Sequence, residues 1–223
     1  MIQVTAFQWV PPFAQGSVRD LRVRWVLEEA GFGYDERLLG LGEHKSLAYK
    51  AVQPFGQVPA YRDGKVEMFE SGAIVLYVAE QSDLLMPKDP AGRAAVLSWL
   101  FAASNTIEPH VAELAGIDLF NADKAWAKER RPEVEAMLRE RLAELQAALG
   151  DSRWFANDRF SAADIIMTHV LRDLRHTDIL ADYPALQAYR ERAEARPAFK
   201  RALSDQMAPF KAAEAARPEL VAG

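Results

Sequence analysis

The chain has 223 residues, half of them hydrophobic, so it can bury one large core or two modest ones as a soluble globular protein of one or two domains. Acidic residues (32) outnumber basic ones (27), and the net charge of -5 argues against a nucleic-acid groove, whose phosphates demand a basic face. Cysteine is absent, which removes disulfides, thiolate metal sites and every mechanism with a protein sulfur nucleophile, so any thiol chemistry needs a borrowed thiol. The opening MIQVTAFQW lacks the pattern of a signal peptide, and no run of about 18 apolar residues occurs. A cytoplasmic protein with no nucleic-acid and no membrane partner is expected.

Residues 2–9 (IQVTAFQW) are rich in β-branched and aromatic residues and read as a strand that Pro11 and Pro12 stop. Ser17 can cap a helix running to Glu29, with Val18, Leu21 and Trp25 on one face, and Gly31 supplies a left-handed stop. A second strand at 34–39 (YDERLL) completes one right-handed βαβ crossover, so the first two strands should be parallel. VPAYR and VEMFE, joined by Asp63-Gly64, should pair antiparallel, and Ser71 opens an apolar helix buried between layers. Two prolines and a glycine in 82–92 (SDLLMPKDPAG) mark a boundary, beyond which strand signals cease. The predicted organisation is an α/β domain at 1–82 in βαβ-ββα order, a linker at 83–92 and an all-α domain at 93–223. Helical periodicity runs through Val134, Leu138, Leu142, Leu145 and Leu149, with Pro132 and Pro184 in first turns and a frayed final dozen residues.

The stretch 42–80 carries the chemistry. Pro59 at a strand start leaves the Val58 main chain free to pair with a peptide-like ligand. Glu70 and Ser71 stand where a strand becomes a helix, so the first N–H groups and the Ser71 hydroxyl offer donors to a carboxylate while Glu70 can pair with an ammonium. Together these suit the α-amino-acid end of a ligand. Taken singly, Ser71 reads as an N-cap and Pro59 as an edge proline.

The segment VPAYRDGKVEMFESGAIVLYVAE resembles the glutathione-site segment of the glutathione S-transferase family, and GEHKSLAYKAVQPFGQVPAYRDG resembles its theta-like bacterial members. FSAAD (Phe160 to Asp164) resembles the family's helix-capping motif, with Ser161 and Asp164 at capping-box spacing. The resemblance implies a thioredoxin-like N-terminal domain with Pro59 in cis, an all-α C-terminal domain, a homodimer, and glutathione as co-substrate. By the same resemblance, Val58 pairs its main chain with the glutathione cysteine and Glu70 and Ser71 hold the γ-glutamyl end. Gln57 and His44 match positions on the backbone or glycine end; His44 also reads as an exposed polar residue.

A free thiol has a pKa of about 8.5, so the enzyme's task is to stabilise the thiolate. Ser17, at the start of the first helix, matches the family's serine, and Arg19 is the alternative source of positive charge. The loop VPPFAQGSVRD departs from the Ser-x-x-Ser or Ser-Pro-x-Ser look of serine-type members, and no tyrosine precedes Tyr34 to serve a tyrosine-type mechanism. By analogy in position, Phe13, Asn105, Thr106, Pro109, His110, Met207 and Phe210 form the acceptor pocket for a small-molecule electrophile, expected between the domains. His169, Asp173 and His176 fall at i, i+4, i+7, a metal-compatible spacing, but no metal is assigned. The leading reading is a glutathione transferase. Its alternatives are a cysteine-free glutathione-dependent disulfide or peroxide reductase, and a non-catalytic interaction protein that keeps the fold.

Overall fold

The structure is a computed structural model that describes residues 1–221. In chain order the elements are β1 (Ile2–Phe7), α1 (Asp20–Ala30), β2 (Tyr34–Leu39), α2 (Leu47–Lys50), β3 (Ala60–Arg62), β4 (Glu67–Phe69) and α3 (Ser71–Ala79). There follow α4 (Pro90–Ala102), α5 (Glu108–Phe120), α6 (Ala125–Leu149), α7 (Ala162–Arg172), α8 (Pro184–Glu194) and α9 (Pro197–Ala216). No helix among the described residues is long and apolar enough to cross a membrane.

The strands form one sheet in the order β2-β1-β3-β4. β1 and β2 run parallel in register from Ile2 opposite Tyr34 to Phe7 opposite Leu39, as the crossover through α1 requires. β3 is antiparallel to both β1 and β4. At the hairpin the Asp63 carboxylate accepts from the Lys65 and Val66 backbone N–H groups (2.8 and 3.0 Å), which holds its pKa down to about 2, while Gly64 takes φ +87°. α1 buries Leu21, Val23, Trp25, Val26 and Leu27 and packs on both α3 and α9.

The helix start differs from expectation. α1 begins at Asp20 rather than at Ser17, with Arg19 in the capping position, because the chain first makes a 3-10 turn at Pro12–Ala14 and a left-handed bend at Gly16. Gly31 ends the helix left-handed, φ +73°.

The chain divides into two compact units, Met1–Ser82 with the segment from Arg196 onward, and Asp83–Ala195. The expected all-α domain at 93–223 therefore gives up its last helix. α9 belongs with α1 because Phe199 meets Trp25 edge-on (ring centroids 4.9 Å) and Arg196 forks onto Glu29 (2.6 and 2.7 Å). The expected linker is partly helix as well: Asp89 caps α4 by accepting from the Gly92 N–H (2.7 Å), with Pro90 in the first turn.

In the second unit, α4 and α5 are joined by a π turn at Ala103–Ile107. Pro109 has no N–H for the carbonyl four residues back, at Asn105, and its ring crowds that carbonyl, which widens the helix there. Pro184 opens α8, but Pro132 lies inside the long α6 rather than in a first turn. The buried residues Ala127, Val134 and Leu138 span it, and Arg131 next to it pairs with Asp118 (2.6 Å) and Glu135 (2.6 Å), so packing and ion pairs hold the helix across the missing N–H. α7 is buried almost throughout and opens on a capping box of Ser161 and Asp164.

Asp164 is the hub of that unit. Its carboxylate accepts from Ser161 N–H (2.9 Å), Ser161 Oγ (3.0 Å), Phe155 N–H (3.3 Å) and Tyr189 Oη (2.8 Å). Burial pushes its pKa up to about 6 against the pull of these donors. With the folded value above the unfolded one near 3.9, the folded chain binds the proton more tightly. This group's stability contribution is then full below about pH 4 and is lost as pH rises through about 6. Asp164→Ala is expected to cost about 3 kcal/mol in urea denaturation at pH 7 by leaving four donors unpaired. The stability advantage of the wild type over Asp164→Asn should be larger at pH 4 than at pH 7, by up to about 3 kcal/mol.

Candidate active site

The chain from β2 to β3 is a scaffold for main-chain groups. Gly42 turns left-handed into a 3-10 turn at Glu43–Lys45, and Ser46 caps α2 by accepting from the Tyr49 N–H (3.2 Å). Tyr49 is buried, its hydroxyl donates to the Gln57 carbonyl (2.6 Å), and burial pushes its pKa up to about 12 although Arg37 pulls it down. The buried Gln53 accepts from the Gln57 N–H (3.1 Å). Gly56 takes φ +65° and lies so close that a Cβ there would stand 2.7 Å from the His44 carbonyl. His44 and Gln57 are thus set by one compact loop, with His44 edge-on to Phe7 (5.4 Å).

Val58 follows, joined to Pro59 by a cis peptide bond. Its side chain is buried with Leu39, Tyr49 and Ala60, and Phe7, Val18 and Val52 pack on that cluster. Its main-chain N–H and C=O make no hydrogen bond among the described residues, so they stay open to an external partner.

Ala60 pairs with Phe69 across the β3–β4 ladder, so Pro59 and Glu70 stand side by side one position beyond. Glu70 is exposed, with a left-handed backbone (φ +72°) that is costly for a residue other than glycine. Its carbonyl takes the Ile74 N–H (2.9 Å), and the N–H groups of Ser71, Gly72 and Ala73 have no helical partner among the described residues. Ser71 is buried and its Oγ accepts from Arg22 Nη1 (3.3 Å), which ties α1 to the start of α3. Ser71 is therefore not the N-cap; Glu70 holds that place.

Ser17 is half-buried, three residues before α1, with its N–H on the Ala14 carbonyl (3.0 Å) and its hydroxyl unpaired among the described residues. Its neighbour Val18 packs on the Val58 cluster. α9 ties the loop down: Gln206 Nε2 donates to the Val18 carbonyl (3.0 Å) and Asp20 Oδ1 (2.8 Å), while Glu214 accepts from Trp9 Nε1 (3.1 Å) and Gln15 Nε2 (2.5 Å). Arg19 is exposed at the start of α1. Burial raises the Asp20 carboxyl above the usual range while Arg24, 2.7 Å away, pulls it down.

The acceptor candidates scatter. Phe13 is exposed in the 3-10 turn and Met207 is half-buried on α9, but Phe210, only 2% exposed, is core of the first unit and leaves the set. Asn105, Thr106 and Pro109, exposed, and His110, half-buried, lie together at the π turn of the second unit. Of the expected i, i+4, i+7 face, the buried His169 faces Asp173 (3.7 Å), but α7 ends at Arg172 and His176 Nε2 turns to Asp118 (3.4 Å). Among the described residues no group of three His, Asp or Glu is placed to hold a metal ion. Sequence reasoning missed Arg22, Tyr49, Gln53, Gly56, Gln206 and Glu214. A signal existed for Gly56, a glycine after Pro54-Phe55 in a loop; Tyr49 and Gln53 act within that same loop, while Arg22, Gln206 and Glu214 touch the site through tertiary packing.

Residues 5–80 match the glutathione S-transferase N-terminal domain and residues 113–206 the glutathione S-transferase C-terminal domain. Glutathione S-transferase F9 of Arabidopsis thaliana is 30% identical over 182 residues, covering 75% of this chain and 83% of that protein. The probable glutathione S-transferase GSTF2 of Oryza sativa subsp. japonica is 33% identical over 195 residues, covering 80% and 88%. Among solved structures, a glutathione transferase from Burkholderia graminis with two glutathione molecules bound per subunit superposes with a TM-score of 0.80 at 26% identity, covering 91% of this chain and 87% of that one. Glutathione transferase F7 of Populus trichocarpa gives 0.80 at 24%, covering 93% and 99%. The chain belongs to the glutathione S-transferase family, with that family's thioredoxin-like N-terminal domain and helical C-terminal domain.

Gly56→Ala combines a left-handed backbone with a clash against the His44 carbonyl. The expected loss is about 2 kcal/mol in urea denaturation, with protease nicking concentrated in 40–57.

Proposed function

We propose that the chain binds glutathione along Val58 and the start of α3, lowers its thiol pKa and directs the thiolate at an electrophilic carbon. The observation that carries this reading is the pairing of Ala60 with Phe69, which sets the open Val58 main chain beside Glu70 and Ser71. The Val58 N–H and C=O take the cysteine as a short strand pairing, the α3 N–H groups and Ser71 take the γ-glutamyl carboxylate, and Glu70 takes its ammonium. Gln57 and His44 serve the backbone or glycine end. The Ser17 hydroxyl, unpaired among the described residues and on an anchored loop, donates to the sulfur, with Arg19 the alternative. The thiolate forms a carbon–sulfur bond as the leaving group departs with its electron pair, and the thiol proton passes to solvent.

Phe13 and Met207 in the first unit, and Asn105, Thr106, Pro109 and His110 in the second, remain the proposed acceptor-facing residues. The theta-like bacterial grouping rests on residues 42–64, whereas the curated relatives named above are plant proteins. A cytoplasmic setting, where glutathione is kept reduced, goes with this chemistry, and no metal is required. A second reading, reduction of a disulfide or peroxide, draws support from the Burkholderia relative, whose subunit holds two glutathione molecules. A homodimer is part of the proposal: Phe55, 68% exposed and edge-on to Phe69, offers an apolar anchor on the first unit.

Ultraviolet titration of bound glutathione should show its thiol pKa at least one unit below the free value of about 8.5, and Ser17→Ala should return most of that shift, about 1.4 kcal/mol per unit. Binding with no depression in the wild type would favour the interaction-protein reading. In sedimentation velocity at micromolar concentration the wild type should run as a dimer and Phe55→Ser predominantly as a monomer.

A further inference from the structure

A cavity of about 380 Å³ opens beside the site within the first unit, walled by Phe7, Trp9, Leu39, Leu41 and Leu220 and bordered by His44 and Arg217. Phe7 and His44 belong to both places: Phe7 packs on the Val58 cluster and His44 stands edge-on to it. A molecule in the cavity therefore shares Phe7 and His44 with the proposed glutathione site. The space suits one substituted aromatic ring, and most of its wall is apolar.

Its charge is uneven. Glu214 is occupied by Trp9 and Gln15 (3.1 and 2.5 Å), and Glu43 by the Gly40 N–H (3.1 Å) and Arg37 (3.5 Å). Arg217 ends α9 with its backbone N–H on the Ala213 carbonyl (2.9 Å), and its guanidinium makes no ion pair among the described residues. An apolar slot with a guanidinium at its edge that makes no ion pair among the described residues suits a flat apolar body that carries an anion.

From this arrangement we infer that the cavity takes aromatic electrophiles bearing a carboxylate or sulfonate, and that Arg217 selects them over neutral analogues. This rests on the transferase reading above. In the step itself the glutathione sulfur bonds to the ring carbon carrying a halide, the carbon–halogen bond breaks, and the halide leaves with the bonding pair while the thiol proton goes to solvent. Arg217 touches the anionic substituent and takes no part in bond making.

The test compares 4-chloro-3,5-dinitrobenzoate with the neutral 4-chloro-3,5-dinitrobenzamide, each corrected for its uncatalysed rate, on the full chain and on Arg217→Ala and Arg217→Lys. The wild type should favour the acid about tenfold in kcat/KM, the size of one hydrogen bond to a charged group. Arg217→Ala should erase that preference through KM, and Arg217→Lys should restore part of it. An amide used as well as the acid, or a preference that survives Arg217→Ala, overturns the inference. If neither chloride is turned over, the transferase reading fails instead, and calorimetry with the unreactive 3,5-dinitrobenzoate and 3,5-dinitrobenzamide decides. Tighter binding of the acid to wild type but not to Arg217→Ala upholds the selectivity; equal binding, or none, overturns it.

Discussion

Two short antiparallel strands bring Ala60 opposite Phe69, and the rest of the site follows from what lies one residue beyond each. On one side the chain leaves the sheet through a cis proline, which supplies no N–H, so the Val58 groups before it have no ladder to join. On the other it turns through a left-handed Glu70 directly into α3, leaving three helix N–H groups at the same edge. One backbone pair thus sets open peptide groups beside a cluster of donors, the arrangement on which the proposed ligand reading rests.

The loop that carries Ser17 is fixed by a different device. α1 and α9 share a buried polar network in which Asp20, Arg24 and Gln206 are each almost wholly removed from water, and Arg24 also reaches Glu36 on β2. Burying such charges is costly unless they satisfy one another, so each partner constrains the others. Gln206 extends the network to the Val18 carbonyl, and Glu214 holds Trp9 and Gln15 farther out. The helix farthest along the chain thereby positions a loop near its beginning, which is the reason the last helix belongs to the first unit.

These two devices were unequally legible in the sequence. The parallel β1–β2 crossover, the hairpin at Asp63-Gly64, the stop at Gly31 and the capping box at Ser161 rest on short-range connection, turn and cap chemistry, which neighbouring residues specify, whereas the β1–β3 pairing that completes the sheet does not. Val58, Pro59, Glu70 and Ser71 were readable for the same reason, since a proline at a strand start and a polar pair at a helix start act within a few residues. Ser17 shows the limit. A serine before an apolar periodic run reads as a cap, but the loop that Pro12 and Gly16 bend pushes the helix start to Asp20, and the bend is held by Gln206 and Glu214 some two hundred residues away. Phe210 and Pro132 fail likewise: a face at the end of α9 is core because α1 packs on that helix, and a helix runs through a proline because its buried stripe and ion pairs outweigh one lost hydrogen bond.

The split between local and distant specification also separates what the site holds constant from what it can vary. On the proposed reading the glutathione side leans on main-chain atoms of Val58 and of the α3 terminus, which the cis turn and the β3–β4 pair hold in place. The cavity beside it is made of side chains: Leu41 projects almost fully into solvent, and Leu220 and Arg217 come from the segment that ends α9. Exchanging one of these alters size or charge without touching the sheet, the cis turn or the Asp20–Arg24–Gln206 network. On the proposed reading one ligand is held through the backbone and the other through the segment that ends α9, so the second can change while the first is kept.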